Sequence, residues 1–182
     1  MCSSDPVLPR GLITYIVGKF DTRSRTLVLS DRRGIIVRSF FIHQILGTPI
    51  GGMRIGEKID PELRLMIANL TKCNGRYPTI SELEDLVTPV LDGDKFKLVF
   101  GMYAMTVFLC PSSHDAVSPD YLHVFRDPSS ISSFDFSAAV LDKLITSIEA
   151  YNEGITTVLG GNLLSLLVHA FYHCAIFLLH IH

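Results

Sequence analysis

The sequence has little charge and no tryptophan. Only 19% of its 182 residues are Asp, Glu, Lys or Arg, whereas 48% are hydrophobic. A disordered chain would have the opposite balance, and coiled coils and collagens have quite different compositions. The length suits one domain with a substantial core and is barely enough for two.

The chain also lacks the strong basic excess that is typical of nucleic-acid-binding proteins, because its formal net charge is −2. Residues 1–60 are the exception, with nine Lys or Arg against five Asp or Glu. They include one cluster, formed by Arg23, Arg25, Arg32, Arg33 and Arg38. A solvated hairpin surface is the simpler interpretation of this cluster, and contact with nucleic acid or a protein partner is the alternative.

Cysteine is scarce, and its four residues form no CxxC pair. Asp5, Pro6, Pro9 and Arg10 interrupt the N-terminus before any apolar run, so we predict no secretory signal. These features favour free thiols in a reducing compartment over a disulfide framework.

Apolar periodicity and turn residues predict a mainly α fold of six to eight helices, with one small β-hairpin near the N-terminus. We expect the hairpin at 26–37 and helices at 12–20, 39–46, 61–72, 79–90, 95–109, 120–125, 135–152 and 162–182. We expect Ser39 to cap the second helix, and Thr79 or Ser81 to cap the fourth. The helix at 95–109 is apolar nearly all round, which predicts a central position. In domain terms, residues 1–10 are a lead-in, 11–161 a helical domain and 162–182 an apolar C-terminal helix.

The C-terminal helix draws attention because no Asp, Glu, Lys or Arg follows Glu153. About 20 mostly apolar residues suffice to span a membrane, so a tail anchor is one interpretation. His169 and His173 would then lie near the bilayer centre, where ionisable groups are costly, and no basic flank sets an orientation. We therefore favour a buried core helix whose packing partners lie further on in a longer protein.

Three patterns could carry chemistry, and each is incomplete. His169 and His173 have metal-ligand spacing, but Ala170 stands where a zinc protease needs glutamate. Cys110, His114 and Asp115 are a nucleophilic set only in residue type, since such partners normally meet in space. The glycine-rich loop at 47–54 lacks the GK[ST] ending of a phosphate loop. We predict no catalytic, cofactor-binding or metal-binding residues and no cofactor.

Several segments resemble, in order, the plant mobile-domain-like regions and the related N-terminal regions of transposon-encoded proteins that often carry a SUMO-protease-like domain further on. The matching segments are Gly18-Lys19-Phe20-Asp21, the hairpin, the Ile45–Gly52 loop, Phe96–Pro111, Phe125–Asp127, Ser133–Phe136, Val140–Asp142 and Leu159–Leu164. They span about residues 12–168. Phe136 stands where the family usually has tryptophan.

The resemblance implies a non-catalytic helical interaction domain of a transposon-derived plant protein, acting in the nucleus. The peptidase residues of related proteins would lie beyond residue 182, so we predict that the chain is not an enzyme. Two alternatives remain: a tail-anchored membrane protein that uses residues 162–182, and an N-terminal fragment of a SUMO-protease-like protein. The partner would be a protein or nucleic acid, with no small-molecule substrate.

Overall fold

The computed structural model describes residues 10–30, 33–56, 61–73, 76–87, 93–111 and 116–179, with the backbone alone at residues 70 and 177–179. Seven α-helices and a three-stranded sheet lie within these residues, which confirms the mainly α fold class. In chain order they are α1 (Arg10–Gly18), β1 (Phe20–Asp21), β2 (Thr26–Ser30), β3 (Arg33–Ile36), α2 (Ser39–Leu46), α3 (Pro61–Thr71), α4 (Ile80–Leu86), α5 (Gly93–Ala104), α6 (Phe136–Asn152) and α7 (Leu163–Leu179).

The predicted hairpin is present as β2 and β3, but the sheet has a third strand. All neighbouring strands are antiparallel, in the order β1-β2-β3. The prediction that the first helix continues to Phe20 was wrong, because α1 ends at Gly18. Phe20 instead pairs with Leu27, and both side chains are buried. A strand of two residues is too short to leave a period-2 pattern in the sequence.

Helix boundaries follow local capping where a side chain supplies it. Thr79 caps α4 as predicted: Thr79 Oγ1 accepts a hydrogen bond from the Glu82 amide, and a Glu82 carboxylate oxygen accepts one from the Thr79 amide at 2.8 Å. The expectation for Ser39 was wrong, since Arg38 occupies the N-cap of α2 without a side-chain cap. The fourth helix was also predicted too long, because α4 ends at Leu86.

The predicted central helix is two elements. The α-helical hydrogen bonds of α5 end at Ala104, and a π-helical turn follows over Met105–Leu109. One side is buried, through Leu98, Val99, Met102 and Met105. The predicted central position therefore applies to that side only, because Phe96, Phe100, Val107 and Phe108 are exposed on the rest of the segment. Hydropathy alone cannot separate a half-covered apolar helix from a buried one.

Two shorter predictions also differ in detail. The helix expected at 120–125 is a 3₁₀-helix, Pro119–Phe125, capped by Ser118, and a second 3₁₀ turn spans Ile131–Ser133. The apolar spacing of α3 predicts one buried face formed by Leu63, Leu65, Met66 and Leu70. Of these, Leu63 is buried, whereas Leu65 and Met66 are exposed, and the side chain of Leu70 lies outside the described residues. Ile67 and Ala68 are buried instead.

Helix α6 is the centre of the core, and its predicted bounds are confirmed to within a residue. Asp135 caps it by accepting a hydrogen bond from the Ala138 amide at 2.8 Å. Its buried positions run from Phe136 to Ile148, and α2 packs against it. Helix α7 packs on α1 and α2. In the ranges that the structure describes, no helix is both long and apolar enough to cross a bilayer.

Candidate functional site

Three arginines line one cleft, which we call the arginine cleft. It lies between the base of the hairpin, the start of α2 and one face of α6, and has a volume of about 320 Å³. Arg25, Arg38 and Arg54 supply its positive charge, and Asp142 of α6 is its single acidic residue. The remaining lining residues are Ile36, Val37, Ser39, Ala138 and Leu141.

Asp142 makes loose ion pairs with two of these arginines. Its carboxylate oxygens lie 3.5 Å from an Arg25 guanidinium nitrogen and 3.6 Å from one of Arg54. Charge-assisted hydrogen bonds of the strong kind are about 2.7–2.9 Å long. Both arginines are exposed and keep further N–H donors available, since a guanidinium carries five. The cleft thus holds more donors than its own carboxylate uses.

Arg25 adopts an unusual backbone conformation at the rim of the cleft. Its φ is +54°, in the left-handed region that a non-glycine residue occupies only at a cost of about 1–2 kcal/mol. The Val37 amide donates a hydrogen bond to the Arg25 carbonyl at 2.8 Å, which holds this turn against the strand end of the hairpin. An arginine is thereby kept where glycine would be easier to accommodate.

The structure divides the five arginines of the predicted cluster. It brings Arg25 and Arg38 together in the cleft, whereas Arg23 and Arg33 do not line it. Arg33 pairs with Ser30 at the other end of the hairpin. Arg32 lies outside the described residues.

Arg54 is the cleft residue that the sequence did not single out. It follows the Gly51-Gly52 loop, sixteen residues beyond Arg38. Several hydrogen bonds tie the loop to the start of α6. Two of them hold Met53: its amide donates to the Ser133 carbonyl, and its carbonyl accepts from the Asp135 amide, both at 2.8 Å. These tertiary contacts place Arg54 beside Asp142, so no local pattern could have indicated it.

Gly52 of this loop serves close packing and not phosphate binding. A Cβ at Gly52 would overlap the Ser133 carbonyl oxygen. Thr48 and Ser137 form a buried hydroxyl pair, in which Thr48 Oγ1 lies 2.8 Å from Ser137 Oγ and Ser137 Oγ donates to the Thr48 carbonyl at 3.0 Å. The loop is therefore an anchor between α2 and α6.

A second candidate surface is the outer side of α7, which we call the α7 face. Leu164, Val168, Phe171 and Tyr172 share this side at helical spacing, and all four are exposed. The opposite side is buried through Leu166, Leu167, His169 and Ala170. A helix that is apolar all round is normally covered all round, so the α7 face is unusual for a free surface.

The α7 face continues into an apolar hollow beside the π-helical turn. This hollow has a volume of about 270 Å³ and is lined by Phe108, Pro111, Leu159, Leu163 and Leu164, with Gly161 and Asn162. Asn162 fixes its floor by donating a hydrogen bond to the Phe108 carbonyl at 2.8 Å and by accepting one from the Ser165 amide at 3.0 Å.

The His169 and His173 pair does share one helical side, as its spacing indicates. The ring centroids are 4.7 Å apart, and the ring of Phe41 lies 3.9 Å from that of His169. Burial lowers the pKa of His169 to about 4, with a smaller contribution from His173. Neither ring nitrogen of His169 has a hydrogen-bond partner among the described residues. Across that same part of the chain, no three His, Cys, Asp or Glu side chains could together hold a metal ion.

Cys110 is a packing residue at the end of the π-helical turn. Burial raises the pKa of its thiol to about 12, although a hydrogen bond with Tyr121 acts in the opposite direction. The thiol is therefore protonated at neutral pH and a weak nucleophile. Its proposed partners, His114 and Asp115, lie outside the described residues.

Comparison with known proteins adds one finding. Residues 3–167 match a family described as "Domain of unknown function (DUF8566)". The chain belongs to this family. No curated protein and no solved structure is significantly similar to it. The DUF8566 match covers α1 to the first turn of α7, so it includes the arginine cleft and the beginning of the α7 face.

Proposed function

We propose that this DUF8566 domain is a non-catalytic interaction module, and that a protein partner covers its α7 face. The observation that carries the proposal is the exposure of four large apolar side chains along one charge-free helix. Phe171 and Tyr172 are each more than half exposed. Clustered apolar and aromatic exposure of this kind is typical of protein-binding surfaces.

The state of Cys110 supports the non-catalytic part of this proposal. A nucleophilic cysteine needs a lowered pKa and access to substrate, whereas Cys110 is buried and its pKa is raised to about 12. The hydroxyl groups of Thr48 and Ser137 are likewise buried, and they hold a loop in place by hydrogen-bonding to each other.

Site-specific crosslinking tests the proposed contact. A photoreactive amino acid at position 171 should give a discrete protein adduct in the cells that express this chain. The same amino acid at Asn152, which is exposed at the end of α6, is the matched control and should not give that adduct. Tyr172→Glu, on the α7 face and more than half exposed, should remove the adduct while the melting temperature stays unchanged.

The outcomes also separate the membrane alternative. Lipid adducts at position 171, together with flotation of the protein on phospholipid vesicles, would show that the α7 face binds a membrane and not a protein. Adducts of equal intensity at positions 171 and 152 would mean that the α7 face has no special role.

The ordered resemblance to plant mobile-domain-like proteins supports a transposon-derived origin and a nuclear location for the module. A fluorescent fusion of the full chain should concentrate in the nucleus of plant cells. Uniform or membrane-restricted fluorescence would contradict that location.

A further inference from the structure

The arginine cleft has an unbalanced charge. Its lining carries three guanidinium groups and one carboxylate, so two positive charges remain. Arg25 and Arg54 share Asp142, whereas the guanidinium of Arg38 has no hydrogen bond or ion pair with any described residue. Three arginines around one hollow repel one another, and a single carboxylate offsets only part of that repulsion.

The size and the lining indicate what kind of anion. A hollow of about 320 Å³ is at the lower end of the range for small-ligand sites, about 300–1,000 Å³. Arginine forks match phosphate oxygens in paired hydrogen bonds. A phosphate monoester carries roughly −1.5 to −2 charges at pH 7, close to the +2 of the cleft, whereas a diester carries one. Ile36, Val37, Ala138 and Leu141 add an apolar wall for the organic part of an ester.

The distribution of the other arginines argues against an extended nucleic acid. Such a ligand needs a row of basic residues along its backbone. Arg23 and Arg33 do not line the cleft, and the chain as a whole is acidic. The three arginines of the cleft instead surround a single hollow.

We propose that the arginine cleft binds a phosphate monoester, and that the phosphate displaces Asp142 from Arg25 and Arg54. In the free protein the long ion pairs of Asp142 engage one nitrogen of Arg25 and one of Arg54. When the phosphate enters, Arg38 gains its first partner and the two other arginines turn from the carboxylate to the phosphate oxygens. The strained backbone of Arg25 keeps that side chain at the rim. The arginine cleft and the α7 face have no residue in common.

Calorimetric titration of the full chain with O-phosphoserine and phenyl phosphate, at constant ionic strength, tests the proposal. Inorganic phosphate serves as the probe without an ester group, and dimethyl phosphate as the diester. We expect saturable binding of the monoesters and at least about tenfold weaker binding of the diester, since one charge is missing. If the esters bind more tightly than inorganic phosphate, the apolar wall contacts their organic group. If they bind equally, the arginines contact the phosphate group of the ester and the wall contributes nothing.

Two substitutions should act in opposite directions. Arg38→Ala should weaken monoester binding about tenfold or more, because it removes a forked donor. Asp142→Asn should tighten it about threefold or more, because it removes the competing carboxylate. The matched controls are Arg23→Ala, outside the cleft, and Glu153→Gln, at the end of α6; each should change binding less than about twofold.

Three results would overturn the proposal. The first is no saturation with any monoester up to about 10 mM, in either the wild type or Asp142→Asn. The second is an equal loss from Arg23→Ala and Arg38→Ala, which would mean general charge attraction. The third is diester binding as tight as that of the monoesters. Unchanged melting temperatures of the variants establish that their folds are intact, and Asp142→Asn remains informative even if Arg38→Ala unfolds.

Discussion

His169 is a buried polar residue whose hydrogen-bonding groups find no partner among the described residues. It is 2% exposed, and both ring nitrogens lie within an aromatic cluster formed with Phe41 and His173. Burial lowers its pKa to about 4, against about 6.5 for an unfolded histidine. The unfolded chain therefore binds a proton between these values that the folded chain does not.

This difference predicts a pH-dependent stability. The contribution of His169 to the free energy of unfolding is complete above about pH 6.5 and is lost as pH falls towards 4, by about 3 kcal/mol in total. Denaturant unfolding at pH 7 and pH 4.5 measures it. In His169→Leu the free energy of unfolding should no longer fall by this amount between pH 7 and pH 4.5. The variant should also be more stable than the wild type at pH 7 by about 1 kcal/mol, since no buried nitrogen remains unpaired. The same pH dependence of the free energy of unfolding in the wild type and in His169→Leu would contradict the prediction.

Two cysteines should differ in their reactivity towards alkylating reagents. Cys174 is exposed, whereas Cys110 is buried and its pKa is raised to about 12. An alkylating reagent at pH 8 should modify Cys174 under native conditions and Cys110 only after unfolding. Peptide mass spectrometry distinguishes the two sites. Rapid native labelling of Cys110 would show that the end of the π-helical turn opens.

At the scale of elements, the loop after α2 determines how two helices meet. Gly52 lies against the Ser133 carbonyl, and neighbouring residues of its loop bond to the segment that leads into α6. The sequence showed a glycine pair there but not what it approaches. The partner is eighty-one positions away, beyond any local pattern.

Gly52→Ala should therefore be destabilising, by about 1–3 kcal/mol, because the added methyl group must displace backbone. Gly11→Ala is the matched control, since nothing lies within 4 Å of the Cβ position and the residue is in α1. It should be neutral or stabilising by up to about 1 kcal/mol. Chemical denaturation of both variants measures the difference, and equal effects would argue against the close approach.

At the scale of the whole molecule, α7 connects the core to the surface. Leu166 is buried against the body of the domain, and Phe171 points outward on the same helix. Leu166→Ala should lower the free energy of unfolding by about 2–5 kcal/mol, because it leaves a cavity. Phe171→Ala should change it by less than about 0.5 kcal/mol. Thermal and urea unfolding test the pair, and a large loss from Phe171→Ala would mean that the α7 face is part of the core.

The sequence by itself determined the mainly α class, the hairpin and the bounds of α6, and it narrowed the cap of α4 to Thr79 or Ser81. These features depend on neighbours within a few positions, where periodicity, turns and capping act. Tertiary structure alone decided the third strand, the exposed sides of α5 and α7, and the meeting of Arg25, Arg38 and Arg54 around Asp142. For a helix that is apolar all round, hydropathy does not indicate which side faces the core. Arginines that are far apart in sequence come together only when the chain packs. The physical reason is that burial and charge clustering depend on long-range contacts, which no local window of the sequence contains.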